Sequence, residues 1–323
     1  MKVFASSELP GDALARLARH CELDTWESVS PVPADILRER LQGCDGLLCL
    51  LTNRIDKALL DACPALRMVS SMSVGVDHVD VAALTSRGIP LGNTPGVLVD
   101  TTADLTFALL LAAARRIPEA DEFVRAGRWD PASPWHPEMF VGRDLAGATL
   151  GIIGLGAIGQ AVARRAAGFG LRVIGWNRSH RDVDGVVSVS FDKLLAASDF
   201  LSVNVALTGD TRNLLDRAAI ARMKPGAVLV NTARGGIVDE QALADALREG
   251  RLFAAGVDVF SHEPVEADNP LLKLPNVVLA PHIGSASQRT RERMAALAAD
   301  NLIAAIAGDP MPHCVNPEVY AES

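Results

Sequence analysis

The sequence predicts an α/β protein made of two doubly wound parallel-sheet domains, the first of them discontinuous in sequence. Three observations carry this expectation. Short apolar runs of strand length alternate with amphipathic helical stretches along the chain, the pattern of parallel strands joined by crossover helices. At 323 residues the chain is long enough for two domains. Its last long helical stretch, 287–307, has no strand after it and is expected to return to the first domain. The expected boundaries are 1–100 plus 287–323 for the first domain and 101–286 for the second.

Taken in order, the first series has strands near Lys2–Ala5, 46–50, 67–70 and 89–92, with helices such as 33–42 and 56–62 between them. A helix over 101–116 follows. Asp100 or Thr101 is its expected cap, and Arg115-Arg116 suits its C-terminal dipole. Segment 128–142 is rich in Pro and Trp and reads as an extended arm, either a surface connection or an oligomer contact. The second series has six strands, near Thr149–Ile153, Arg172–Trp176, 200–204, 227–231, 254–258 and 277–280.

Composition narrows the function. A net charge of −8 and a pI of about 5.4 argue against a nucleic-acid partner, because phosphate binding needs a basic face. The longest apolar run, 105–114, is too short to span a bilayer, and the start Lys2-Val3-Phe4-Ala5 lacks the pattern of a signal peptide. Cys21, Cys44, Cys49, Cys63 and Cys314 match no zinc or redox spacing, so a cytoplasmic protein with reduced thiols and no metal is expected.

The strongest local signal is Thr149-Leu-Gly-Ile-Ile-Gly154-Leu155-Gly156-Ala157-Ile158-Gly159. A strand leads into Gly-x-Gly-x-x-Gly and a helix follows, the context of a Rossmann-like dinucleotide site. Gly154 permits the tight turn, Gly156 lets backbone approach a pyrophosphate, and Gly159 lets the helix pack closely. The next strand ends in Asn177-Arg178-Ser179, where an NAD-binding chain usually carries an acidic residue for the ribose 2′-hydroxyl. Arg and Ser favour a 2′-phosphate through charge-assisted hydrogen bonds, so NADP(H) is expected in preference to NAD(H), which stays open as the second choice.

Three further residues follow strands of the same series: Arg234, Glu263 and His282. Ligands bind outside the carboxyl ends of parallel strands, so all three are placed to serve one site. Arg holds a carboxylate with two parallel hydrogen bonds. His gives a proton to a forming alkoxide, and Glu orients the imidazole and favours its charged form. Each has a bland reading as a turn or surface residue; their shared position beside a dinucleotide fingerprint favours the chemical one.

With these residues in view, the chain resembles the D-isomer-specific 2-hydroxyacid dehydrogenases over essentially its whole length. The resemblance is carried by the glycine fingerprint, by Met223-Lys-Pro-Gly-Ala-Val-Leu-Val-Asn-Thr-Ala-Arg234-Gly-Gly, by Gly256-Val-Asp258-Val-Phe-x-x-Glu263-Pro, and by Pro281-His282-Ile-Gly-Ser. It implies that Arg234 binds substrate, that His282 is the acid/base and that Glu263 is its partner. It implies that Asp258 lies at the nicotinamide carboxamide, that Thr232 and Ala233 line the nicotinamide, and that the chain forms a homodimer mainly through its cofactor domains.

Within that family the chain looks most like the glyoxylate/hydroxypyruvate reductases, through Leu50-Leu51-Thr-Asn-Arg-Ile-Asp-Lys57, Ser71-Met-Ser-Val74-Gly75-Val-Asp-His78 and the stretch from Pro281 to Arg291. The resemblance assigns the Val74-Gly75 turn to the substrate carboxylate and Leu51 to the substrate's vicinity. A glycine turn with free N–H groups suits an anion on physical grounds. The chain departs from the family at Asn204-Val-Ala206-Leu-Thr208, where His-x-Pro-Leu-Thr is common, and at Met139, where close relatives often carry Trp. The slimmer Met139 predicts a wider substrate pocket. The expected activity is NADPH-dependent reduction of a short 2-oxo acid. Another 2-oxo acid reductase, such as one acting on 2-ketogluconate, and a dinucleotide-sensing corepressor stay open as alternatives.

Overall fold

The computed structural model describes residues 1–321. Two compact units divide the chain: Met1–Leu98 with the segment from Ala286 onward, and Val99–Ser285.

The first unit holds a five-stranded parallel sheet of β1 (Lys2–Ala5), β2 (Glu22–Thr25), β3 (Gly46–Cys49), β4 (Met68–Ser71) and β5 (Leu91–Gly92), in the order β2-β1-β3-β4-β5. Strands β1, β3 and β4 are buried on both faces because helices cover both. Leu37, Leu59, Leu60 and Leu84, from three short helices, pack on one side with Phe4, Leu47 and Val69. On the other, Leu17 and the long helix Gln288–Ala307 pack Met294, Ala295, Ala298 and Leu302 against Val3, Ala5 and Leu48. Each fully buried Leu contributes about 1.5–3 kcal/mol. The Ser287 hydroxyl accepts the Thr290 N–H to start that helix, and Gly308, at φ 86°, ends it.

Asn301 fixes the long helix in place. It is fully buried, donates to the Asn93 carbonyl at 3.0 Å and accepts the His313 N–H at 3.0 Å. A Cβ on Gly92 would lie 2.5 Å from its amide nitrogen, so only glycine admits this approach.

The second unit holds a seven-stranded parallel sheet: β6 (Thr149–Ile153), β7 (Arg172–Trp176), β8 (Val186–Ser188), β9 (Phe200–Val203), β10 (Val228–Asn231), β11 (Ala254–Val257) and β12 (Val277–Leu279). The order β12-β11-β10-β9-β6-β7-β8 reverses direction between β6 and β9. That reversal opens a crevice at the strand ends where ligands of such sheets bind. Leu150, Ile152 and Val230 face the helices Val99–Ala114 and Ala157–Gly168. Ile153, Leu201, Val203 and Leu229 face helices carrying Leu194, Ile220 and Leu243.

Four expectations on the elements need correction. The second sheet has seven strands, not six: β8 is a three-residue edge strand with two exposed positions. β2 adds a fifth strand to the first sheet. It reads Glu-Leu-Asp-Thr and lies at an edge, so it lacks the apolar run of a central strand. The helix expected over 101–116 runs from Val99 to Ala114. Asp100 therefore sits inside its first turn and pairs with Arg165 at 3.2 Å instead of capping it. Arg116 lies past the helix end at φ 55°, opens the helix Ile117–Arg125 and pairs with Glu119 at 2.6 Å. Among the described residues no helix is long and apolar enough to cross a membrane.

Candidate active site

The glycine fingerprint occupies the end of β6 at the reversal point. Gly154 has φ 92°, and a Cβ there would lie 2.6 Å from the Asn204 carbonyl oxygen at the end of β9. Gly159 is barred from a side chain by the Gly154 carbonyl, 2.0 Å from where its Cβ would stand, so the helix starts hard against the turn. Gly156 is different: nothing lies within 4 Å of its Cβ position. It begins the helix Ala157–Gly168 with no side-chain cap, which leaves the first-turn N–H groups of Ala157, Ile158 and Gly159 without intrahelical acceptors. Beside the turn, the buried Asn204 Oδ1 has no hydrogen-bond partner among the described residues. Open space and an uncapped positive helix end fit the pyrophosphate of a dinucleotide, whereas the unmatched Oδ1, an acceptor, suits a hydroxyl donor such as a ribose carries.

At the end of β7, Asn177 Oδ1 accepts the Leu155 N–H at 3.2 Å and its amide donates to the Ser179 carbonyl at 2.9 Å. Asn177 thus ties this strand end to the glycine turn. Arg178 projects into solvent and pairs with Asp210 at 2.9 Å, the two side chains being 78% and 75% exposed. Both exposures are high enough for the pair to exchange partners readily. Arg181, which the motif did not single out, donates to the Leu155 carbonyl at 2.9 Å.

The chemical residues stand at the ends of β10, β11 and β12. After β10, Asn231 shapes the loop: its Oδ1 accepts the Ala233 N–H at 3.1 Å and its amide donates to the Arg234 carbonyl at 2.8 Å. Thr232 shares a 2.9 Å hydrogen bond with Thr106. Gly235 lets this loop touch the loop after β11; a Cβ there would lie 1.9 Å from the Phe260 carbonyl carbon. That contact brings the Arg234 guanidinium close enough to Glu263 to favour its ionised form.

Asp258, at the end of β11, is fully buried. Its two carboxylate oxygens accept the N–H groups of Ile283 at 2.7 Å and Gly284 at 2.9 Å, and its carbonyl accepts the His282 N–H at 2.7 Å. Burial pushes its carboxyl pKa up, and these donors and the His282 charge offset only part of that. The structure shows Asp258 as the brace of the His282 loop; its assignment to a nicotinamide rests on resemblance alone. His282 takes φ 53°, a left-handed conformation uncommon for a residue with a Cβ, and the brace supports it. Thr102 completes the clamp by donating to the Gly284 carbonyl at 3.0 Å.

His282 Nδ1 lies 2.6 Å from Glu263 Oε2, with side chains 24% and 28% exposed. Glu263 Oε1 accepts the Phe260 N–H at 2.9 Å. Burial drives the Glu263 pKa upward, yet the hydrogen bonds from His282 and Phe260 and the charges of His282 and Arg234 hold it below its ordinary value. With Nδ1 committed to an ionised carboxylate, Nε2 is the ring nitrogen left for a reactant. Thr102 and Thr106 were missed from sequence. The available signal was two hydroxyls four residues apart on the helix face that carries its apolar residues.

In the first unit, Val74 and Gly75 form the turn after β4, half-buried, and Leu51 follows β3 with 36% of its surface exposed. The carbonyls of Ser73, Val74, Gly75 and Val76 all accept internal hydrogen bonds, from Thr94 N–H, Asn93 Nδ2, Ser73 Oγ and Val79 N–H. A peptide N–H points opposite to the carbonyl of its own peptide, so the N–H groups of residues 74–76 turn the other way, as an anion requires.

The family model for the D-isomer-specific 2-hydroxyacid dehydrogenase NAD-binding domain matches residues 107–284. A glyoxylate reductase of Korarchaeum cryptofilum is 50% identical over 322 residues, covering 98% of this chain and 96% of its own. A crystal structure of a Thermus thermophilus protein superposes with a TM-score of 0.92 at 46% identity, over 98% of this chain and 100% of that one. An NADPH-dependent glyoxylate/hydroxypyruvate reductase from Sinorhizobium meliloti, in complex with NADP and malonate, superposes at 0.85 with 33% identity, over 98% of this chain and 97% of that one.

Proposed function

From the premise that the chain belongs to the D-isomer-specific 2-hydroxyacid dehydrogenase family, we propose that it reduces glyoxylate or hydroxypyruvate with NADPH. The observation that carries the chemistry is the 2.6 Å contact between His282 Nδ1 and Glu263 at the strand ends of a dinucleotide-type sheet. A dinucleotide held at the Gly154–Gly159 turn would supply the hydride for the substrate's carbonyl carbon. His282 Nε2 gives its proton to the carbonyl oxygen as negative charge develops there, and Glu263 stabilises the imidazolium before that transfer. Arg234 and the N–H groups of residues 74–76 are the anion-binding groups of their respective units, and both are assigned to the substrate carboxylate. Leu51, Thr232 and Ala233 line the reactants, and Asp258 holds the His282 loop.

The cofactor preference rests on Asn177-Arg178-Ser179. No acidic side chain ends β7, and Arg178 is held only by an exposed ion pair that a 2′-phosphate can displace. The relative from Sinorhizobium meliloti named for NADPH supports the same choice. Relatives named glyoxylate reductase support the substrate. We assign a homodimer, supported by the exposed Trp129 and Trp135 on the arm, and a cytoplasmic setting, supported by five cysteines free of disulfides. The test is a kcat/KM panel of 2-oxo acids with NADPH and NADH. Glyoxylate or hydroxypyruvate with NADPH is expected to give the highest value. A higher value with NADH would reject the cofactor choice, and a higher value for a sugar-derived acid such as 2-ketogluconate the substrate.

A further inference from the structure

Beneath the 73–76 turn of the first unit, three buried or half-buried side chains form a line. His78 Nε2 lies 3.0 Å from Ser71 Oγ, Ser71 Oγ lies 2.7 Å from Ser73 Oγ, and Ser73 Oγ lies 2.8 Å from the Gly75 carbonyl oxygen. We infer that this relay runs in one direction only, with a proton on His78 Nε2, and that His78 is a positioning residue for the anion-binding turn. The functional half of this inference rests on assigning that turn to the substrate carboxylate.

The direction follows from counting protons. A carbonyl oxygen only accepts, so Ser73 spends its single hydroxyl proton on Gly75. Ser73 then accepts from Ser71, whose own proton is thereby spent. Ser71 accepts in turn, and its remaining partner in the line, His78 Nε2, must be the donor. Ser71 and Ser73 are 0% and 3% exposed, so water does not substitute for a missing donor. Cys49 beside Ser71 does not upset the count: its burial pushes the thiol pKa up to about 12, which keeps it a neutral S–H.

The consequence lies in the turn. Asn93 holds the Val74 carbonyl at 3.0 Å and the relay holds that of Gly75. Together they fix two adjacent peptide planes and so aim the N–H groups of Gly75 and Val76. Nothing in the relay touches the anion itself. Its effect is therefore on how well the turn is organised before the anion arrives.

The tautomer is read by 15N NMR on the full-length protein labelled at histidine. The Nε2 of His78 is expected to give a protonated, pyrrole-type signal. Ser73→Ala, which does not touch the imidazole, is expected to release Ser71 and bring in a second tautomer. A bare Nε2 in the wild type, or an unchanged tautomer in Ser73→Ala, overturns the relay. The kinetic arm compares His78→Phe, which lacks the donor, with His78→Gln, which keeps an amide N–H. His78→Phe is expected to raise the KM for glyoxylate about tenfold with kcat within about twofold, and His78→Gln to recover most of it. Asn93→Ala frees the Val74 carbonyl without touching the relay. A raised KM in Asn93→Ala alone rejects the positioning role of His78. An unchanged KM in both Asn93→Ala and His78→Phe rejects the assignment of the turn to the carboxylate. The NMR result stands whether or not either variant folds poorly.

Discussion

Glu263 Oε2 sits 2.6 Å from His282 Nδ1, and the same carboxylate takes the Phe260 N–H on its other oxygen. One oxygen therefore joins the loop after β11 to the loop after β12, the other fixes the carboxylate within its own loop, and the loop carrying Arg234 adds its charge nearby. The pair is a structural tie as well as a chemical one.

That dual role has a pH signature. The Glu263 pKa in the folded chain lies below its ordinary 4.5, so its ionised form stabilises the fold at pH values above that figure. The contribution is lost as pH falls from the ordinary value through the lowered one. Glu263→Gln keeps an acceptor but loses the charge. It is expected to cost about 2 kcal/mol at neutral pH, and the gap from wild type is expected to shrink toward zero in acid. Denaturant midpoints of the two proteins across pH measure it.

Gly235 sets the spacing between the loops that carry Arg234 and Glu263. A methyl group there meets the backbone of Phe260 and Ser261 at 1.9–2.3 Å, which no side-chain motion relieves. Gly235→Ala is expected to lower kcat/KM about 100-fold, the usual cost of misplacing a site by an ångström. Gly236→Ala is the control, since its Cβ would meet only the ends of Arg212 and Leu207 at 3.3 Å or more. Steady-state kinetics on the two variants should separate them clearly.

Asn301 is expected to matter for stability alone. Asn301→Ala leaves the Asn93 carbonyl and the His313 N–H without their partner inside the first unit. The expected cost is about 3 kcal/mol, within the range for stranding buried polar groups. Hydrogen exchange is expected to show lost protection in β4 and β5, with the second unit unchanged.

Much of this site was legible in the sequence because its chemistry demands particular residues in fixed places. Gly154 and Gly159 are glycines for steric reasons that the motif already encodes, and Arg234, Glu263 and His282 each follow a strand that apolar patterning reveals. The strands that went unseen lie at sheet edges. β2 and β8 are half-exposed, so hydrophobic patterning has little to mark there. The helix Ile117–Arg125 went unread; its Pro118 sits in the first helical turn, where the missing N–H costs nothing. The clamp from Thr102 and Thr106 was only half legible: the two hydroxyls on one helix face can be read, but not what they bond. Its partners, Gly284 and Thr232, lie 182 and 126 residues away, and no local pattern records a contact of that span.

The proposed role of His282, delivery of the proton to a 2-oxo acid, is open to direct test. The most direct measurement is the rate of NADPH oxidation with saturating glyoxylate at neutral pH, for wild type and for His282→Ala, with dinucleotide binding checked separately by fluorescence. Turnover by the wild type is expected, with a loss of about 10²–10⁴-fold in kcat in the variant and dinucleotide affinity kept. Full turnover by His282→Ala under those conditions would contradict the proposed role.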